Sequence, residues 1–191
     1  MATKIFVDAG HGGTNPGAVG NGVIEANVNL AVATALANNL RNMGYDVREY
    51  RTTNDENVIT PIAADLRKRA QTANDWGADY FISIHTNANV NPAINGTEAY
   101  VYAVNTPSYE LAVNIVNEIV RRLGTKNNGI YARPSLYVLR RTNMPAVLIE
   151  LAYLSNEGDA ALLADKPYEF AYAIYVRLLN YLGLPQIPLF E

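Results

Sequence analysis

The sequence predicts an α/β domain, a twisted and mostly parallel sheet of about six strands with helices on both faces. Three observations carry that reading. Short apolar runs alternate with longer segments whose apolar residues recur three and four apart. Several of the short runs are apolar throughout, as strands buried on both faces must be, and the first of them empties into a glycine-rich loop ahead of a long helix. With 191 residues, two full domains would be cramped, so one compact unit is expected.

Residues 3–8 (TKIFVD) read as a buried strand that stops at Asp8, where the loop AGHGGTNPG begins. From Glu25 to about Met43, apolar side chains at Val28, Ala31, Val32, Ala35, Leu36 and Leu40 mark one helical face, and Gly44 follows where a C-terminal capping glycine belongs. Residues 45–50 alternate as a strand, residues 61–76 form a helix opened by Pro61, and residues 79–85 (DYFISIH) form a buried strand. Next come a strand at 98–103, a helix at 108–123 closed by Gly124, a short strand at 135–139, an apolar strand at 146–151 and a last helix at about 168–182. Beyond Gly183 the tail LPQIPLFE has two prolines in eight residues, which reads as the start of a linker, so residues 1–183 are taken as the domain and 184–191 as its tail.

Composition narrows the function. The chain carries 15 basic and 18 acidic residues without a dense Lys/Arg cluster, so nucleic acid is not an expected partner. No run approaches the roughly 18 apolar residues that cross a bilayer, so no membrane span is expected. The start MATKIFVDAGHGG lacks a basic region, a long apolar segment and a small-residue cleavage site, so no secretion signal is expected in this chain. The absence of cysteine excludes disulfides, thiolate metal ligands and cysteine nucleophiles.

Only two histidines are present, His11 and His85, and both fall where a strand hands over to a loop. In open α/β sheets ligands bind at the carboxyl ends of strands, so the two imidazoles can share one crevice although 74 positions separate them. A phosphate cradle fits this first loop poorly: Asn15 stands where a third glycine would be needed, and no GxxxxGK[ST] occurs. If the histidines bind zinc, the third ligand must be a carboxylate. Glu25 can point back over the strand end from the start of its helix, or simply place favourable charge there. Asp8 is the other contender, and its position suits a group that orients the His11 loop. Glu150 interrupts an apolar strand, where an unpaired charge would cost several kcal/mol, so it must face a metal, a water-filled crevice or a partner such as Arg140 or Arg141. A general base beside a metal suits it.

Four segments occur together and in order: Asp8-Ala9-Gly10-His11-Gly12-Gly13, Glu25 opening a helix, Ser83-Ile84-His85-Thr86-Asn87-Ala88, and Pro145-Ala146-Val147-Leu148-Ile149-Glu150. With Gly96-Thr97-Glu98 and Leu136-Tyr137-Val138-Leu139-Arg140, the chain resembles the zinc-dependent N-acetylmuramoyl-L-alanine amidases of the type-3 family, found in autolysins, spore-lytic enzymes and phage endolysins. The likeness spans about residues 4–183. It implies a zinc cofactor held by His11, Glu25 and His85, with Glu150 as the catalytic glutamate. It further implies peptidoglycan as substrate, cut between N-acetylmuramic acid and the L-alanine of the stem peptide. Asn87 and Arg140 are expected near the substrate.

Some family members plug the site with an extra helix between the second and third ligands. Here the 59 residues between Glu25 and His85 are accounted for without one, so an open site is expected. Most of the 13 tyrosines are expected in packing, with one or two free to stack on sugars. The missing secretion signal fits an endolysin released from the host cytoplasm at lysis, a mother-cell spore enzyme or a trimmed chain, in each case acting on the wall. A wall-binding module is expected beyond the tail. A zinc carboxypeptidase of related scaffold, using Arg140 or Arg141 for a terminal carboxylate, is the alternative reading.

Overall fold

The structure is a computed structural model and describes residues 2–54 and 61–183. Its elements in chain order are β1 (Lys4–Ala9), the short pair β2 (Val19–Gly20) and β3 (Val23–Ile24), α1 (Glu25–Asn42), β4 (Asp46–Glu49), α2 (Ile62–Trp76), β5 (Tyr80–Asn87) and β6 (Thr97–Val101). They continue as α3 (Pro107–Leu123), β7 (Asn127–Ala132), α4 (Tyr137–Arg141), β8 (Ala146–Tyr153), α5 (Glu157–Asp165) and α6 (Pro167–Tyr181). Six strands form one sheet in the order β4-β1-β5-β8-β6-β7, and β2 pairs with β3 as a separate antiparallel ribbon. Four of the five pairings in the large sheet are parallel, and the β6–β8 pairing is antiparallel.

The two-residue period of the strands decides what each face does. Ile5, Val7 and Ala9 of β1, Ile82 and Ile84 of β5, and Val147, Ile149 and Leu151 of β8 join one core with α1, α3 and α6. Leu36 of α1, fully buried there, contributes roughly 1.5–3 kcal/mol by leaving water. The alternate residues Phe6, Phe81, Ala146 and Leu148 form a smaller core on the opposite face with Ala73 of α2 and Val138 and Leu139 of α4. Phe6 and Phe81 stack there with ring centroids 5.6 Å apart. Continued towards the strand ends, this second face carries Asp8, Ser83, His85, Glu150 and Glu98, so the polar residues follow from the same alternation.

Two helices begin or end as their sequences direct. Pro107 opens α3 behind Thr106, whose hydroxyl accepts from the Tyr109 N–H, and Gly77 and Gly124 take the left-handed conformation that closes α2 and α3. The last turn of α3 docks by charge: buried Glu118 accepts from Arg121, Arg122 and, across to α6, Arg177 at 2.5–2.6 Å. The Arg121 hydrogen bond, joined by those of Arg177 and Arg122 and opposed by burial, pulls the Glu118 pKa down to about 2.

The fold differs from the expected one in four places. The strand expected at 135–139 is instead largely α4, because Val138 and Leu139 turn within a five-residue helix behind extended Leu136, packed against α2 and β8. Strand β7 lies where Asn127, Asn128 and Gly129 mask a strand signal, and the β2–β3 ribbon and α5 are further elements the periodicity does not reveal. The tail at 184–191 lies outside the described residues. Among the described residues no helix is long and apolar enough to cross a membrane.

Candidate metal and catalytic site

The site sits where β1, β5 and β8 end. His11 follows β1 in the glycine loop and takes a left-handed backbone, φ 59°, a conformation that costs a residue with a Cβ about 1 kcal/mol or more and persists only where its surroundings impose it. Glu25 is the first residue of α1, where the positive end of the helix favours a carboxylate. His85 lies near the end of β5, directly beside Glu150 of β8, and Glu150 in turn faces Glu98 of β6. A bulge between His85 and Asn87 turns the Thr86 N–H towards Glu25 Oε1, at 3.2 Å.

The structure brings His11, Glu25 and His85 together. Their candidate ligand atoms all lie within 4.8 Å of one another, with Glu25 Oε1 3.2 Å from His11 Nε2 and 3.1 Å from His85 Nδ1. The tautomer of His11 is decided by Asn15. Asn15 Oδ1 accepts from the Gly17 N–H and lies 3.1 Å from His11 Nδ1, so Nδ1 must carry the proton and donate. The Nε2 lone pair is then aimed at a carboxylate oxygen, an arrangement that requires a cation, either a second proton or a metal ion. A tetrahedral zinc ion with ligand bonds of about 2.0–2.1 Å sets ligand atoms roughly 3.3 Å apart, close to both observed separations. Burial opposes charge on His11, but the hydrogen bond and charge of Glu25 outweigh it and raise its pKa. Burial likewise opposes charge on Glu25, and the two histidines overcome it and hold the carboxyl well below the usual carboxylate range.

Glycine makes the cradle possible. A Cβ on Gly10 would fall onto the imidazole of His85, and one on Gly17, φ +71°, would sit 2.5 Å from Glu25 Oε2. Glu25 is also held by the Ala18 N–H at 2.8 Å, and Asn29 ties Glu25 Oε1 to the Gly10 carbonyl.

Glu150 is half-buried, and its occluded Oε2 has no hydrogen-bond partner. Burial, then the charges of Glu25 and Glu98, push its pKa up to about 8. Asp8 points under the loop, accepting from Ser83 and Arg69 at 2.7 Å, while Arg69 also donates to the carbonyls of Ala9 and His11. Asn87 donates to Glu98 at 2.8 Å and accepts from its neighbour Ala88. Arg140 lies exposed on α4 over the Tyr137 ring and donates to the carbonyls of Pro134 and Ser135. Between Glu25 and His85 the described residues form α1, β4 and α2. A pocket of about 130 Å³ opens beside the two histidines, with Leu66, Leu136, Val138 and Leu148 in its walls.

The sequence analysis gives no role to Glu98, although it lies in the Gly96-Thr97-Glu98 motif, and does not single out Arg51 or Arg69. Glu98 carries the same signal as Glu150, a carboxylate within an otherwise apolar strand, and is buried against Asn87 and the Tyr100 hydroxyl. The arginines give no such signal, because the loop carbonyls they hold, those of Ala9, Gly10 and His11, lie far away in sequence.

The family described as N-acetylmuramoyl-L-alanine amidase matches residues 5–180, with every site residue inside the match. The chain belongs to this amidase family. It is 35% identical over 166 residues to the N-acetylmuramoyl-L-alanine amidase CwlM of Bacillus licheniformis, covering 86% of this chain and 62% of that protein. It is 34% identical over 169 residues to the endolysin of Bacillus phage SPP1, covering 85% of this chain and 59% of that one. The amidase-family chain thus spans about three fifths of the length of these two relatives. The solved CwlD amidase of Clostridioides difficile, in complex with the GerS lipoprotein, superposes with a TM-score of 0.87 at 31% identity, covering 95% of this chain and 98% of that one. The mostly parallel sheet with helices on both faces is therefore the fold of this family.

Proposed function

We propose that this amidase-family domain hydrolyses the amide between N-acetylmuramic acid and L-alanine in peptidoglycan, with zinc held by His11, Glu25 and His85 and with Glu150 as general base. The observation that carries the metal assignment is the convergence of His11, Glu25 and His85, whose candidate ligand atoms lie within 4.8 Å of one another, with His11 Nε2 at 3.2 Å and His85 Nδ1 at 3.1 Å from Glu25 Oε1. When bound, zinc supplies Lewis acidity towards the scissile carbonyl and a lowered pKa for water.

The remaining chemistry belongs to the chain. Glu150 Oε2, free of other partners, accepts a proton from the attacking water as its oxygen bonds to the carbonyl carbon. The protonated carboxyl then gives that proton to the amide nitrogen as the carbon–nitrogen bond breaks, releasing the amine of L-alanine and a free lactyl carboxylate. Burial, which raises the Glu150 pKa, suits the holding of the proton between the two halves, and a bound cation would lower that pKa and leave the carboxylate ionised for the first half. In this reading Asn87, held by Glu98, and Arg140 would contact the substrate.

Elemental analysis of the purified protein, joined to a turbidity assay on bacterial cell walls with and without chelator, tests this reading. One zinc per chain, activity lost to chelator and restored by zinc, and new lactyl carboxylates with new alanine amino termini are expected. Release of free amino acids without lactyl ends would point to a peptidase instead.

A further inference from the structure

We propose that Arg51 is a positioning residue that fixes the distance between two of the metal ligands. The inference rests on the metal site proposed above. Arg51 follows β4 and heads the fully buried side chains by volume among the described residues, with 1% of its surface exposed. All five of its N–H groups are used. Nε donates to the Ala9 carbonyl at 3.1 Å, and Nη1 donates to the Thr53 carbonyl and to Asn54 Oδ1. Nη2 donates to the Gly10 carbonyl at 2.9 Å and to the Ala26 carbonyl at 2.8 Å. Gly10 precedes His11 and Ala26 follows Glu25. One nitrogen atom therefore ties the backbone beside the first ligand to the backbone beside the second.

The chemistry of the clamp points to position and not to charge pairing. Among the described residues every acceptor of Arg51 is neutral, whereas neighbouring Arg69 has the carboxylates of Asp8 and Asp65. Burial, helped by the nearby Arg69 charge, pushes the Arg51 pKa down to about 10, so the cation stands there against its own desolvation. A planar fork of five donors can span these acceptors, and an ammonium with three cannot. The element it braces needs bracing: His11 holds a left-handed backbone, and although Arg69 also donates to the Ala9 carbonyl and Asn29 to the Gly10 carbonyl, Arg51 alone among these donors reaches the Ala26 carbonyl beside Glu25 as well.

The test is zinc affinity, read by competition with a chromophoric chelator, in the wild type, Arg51→Lys, Arg51→Gln and Ile119→Ala. Ile119 is a fully buried residue of the α3 layer, and its truncation loosens the core away from the loop. Both Arg51 variants are expected to weaken zinc about 10- to 100-fold, as loss of a ligand-orienting contact does, and to alter the visible spectrum of the cobalt-substituted protein. Ile119→Ala is expected to change neither. Wild-type affinity in Arg51→Lys and Arg51→Gln, or an equal loss in Ile119→Ala, overturns the inference alone. A wild-type protein that takes up no zinc overturns the metal reading and this inference with it.

A second measurement needs no variant. In protein labelled with ¹⁵N-arginine, the Arg51 guanidinium protons are expected as separate, slowly exchanging resonances that shift when zinc is added. A freely rotating, zinc-insensitive guanidinium would overturn the proposal even if the variants failed to fold.

Discussion

Glu98 and Glu150 stand directly opposite each other across the antiparallel β6–β8 pair, one strand over from His85. The two carboxylates live differently. Glu98 is satisfied by Asn87 and by the Tyr100 hydroxyl, while Glu150 Oε2 has no donor. Glu98 therefore acts on Glu150 as a like charge, added to burial and to the charge of Glu25.

Replacing Glu98 by Gln removes that charge and is expected to move the Glu150 pKa of the metal-free protein down from about 8. The sign for stability follows. Between about pH 4.5 and 8 the unfolded chain ionises Glu150 while the folded chain keeps its proton, so metal-free stability falls as pH rises through that window. Carboxyl ¹³C NMR titration reads the pKa directly, and an unmoved or raised value in Glu98→Gln would count against the coupling.

Glu150→Gln keeps the shape of the side chain and removes the base. Zinc content is expected to stay at the wild-type level and turnover to drop at least about 100-fold, the usual contribution of a positioned general base. Retention of more than a few per cent of wild-type wall hydrolysis would sink the assignment.

His11→Ala and His85→Ala each leave two ligands of the proposed three, and both are expected to lose stoichiometric zinc while circular dichroism stays native. A variant that keeps one zinc per chain removes its residue from the ligand set.

Gly10→Ala tests the cradle without replacing a proposed ligand. The added methyl group would overlap the His85 ring, so the ring must move, and zinc affinity is expected to fall by about 10- to 100-fold. Unchanged affinity and an unchanged cobalt spectrum would mean that the loop adjusts freely.

Glu118 offers a pH effect far from the chemistry. Its pKa, held down to about 2, means that its pairing with Arg121, Arg122 and Arg177 is complete above the ordinary glutamate value of 4.5 and is lost as pH falls towards 2. Glu118→Gln is expected to cost about 1–3 kcal/mol at neutral pH and to flatten the acid limb of thermal stability. A mutant with the same acid limb as the wild type would assign that limb to other carboxylates.

Much of the site was legible because strand ends and interrupted apolar runs are local signals. His11 and His85 stood at the ends of β1 and β5, and Glu150 broke the apolar run of β8. Glu25 could not be separated from Asp8 by spacing, since both lie next to the loop. The structure separates them by direction: Asp8 sits on the sheet face that packs against α2 and meets Arg69, whereas Glu25 meets both imidazoles. The fold was less legible beyond β6. Asn127-Asn128-Gly129 hides β7, and the five residues of α4 are too few for a helical period to show against a strand-like Leu136-Tyr137-Val138-Leu139. Arg51 was invisible for a different reason, because it recognises the chain by its carbonyls and those carry no sequence.

The alternation of β5 and β8 gives the site a reading frame. Ile84 and Ile149 belong to one core, and their successors His85 and Glu150 face the crevice. Inserting or deleting a single residue within either strand would send the imidazole or the carboxylate into the hydrocarbon layer under α1 and α3 and bring an isoleucine out in its place. Length changes in the connections, such as residues 88–96 or 102–106, leave that frame untouched. The surface around the site can thus lengthen or shorten its loops, while the strands beneath can change letters but not count.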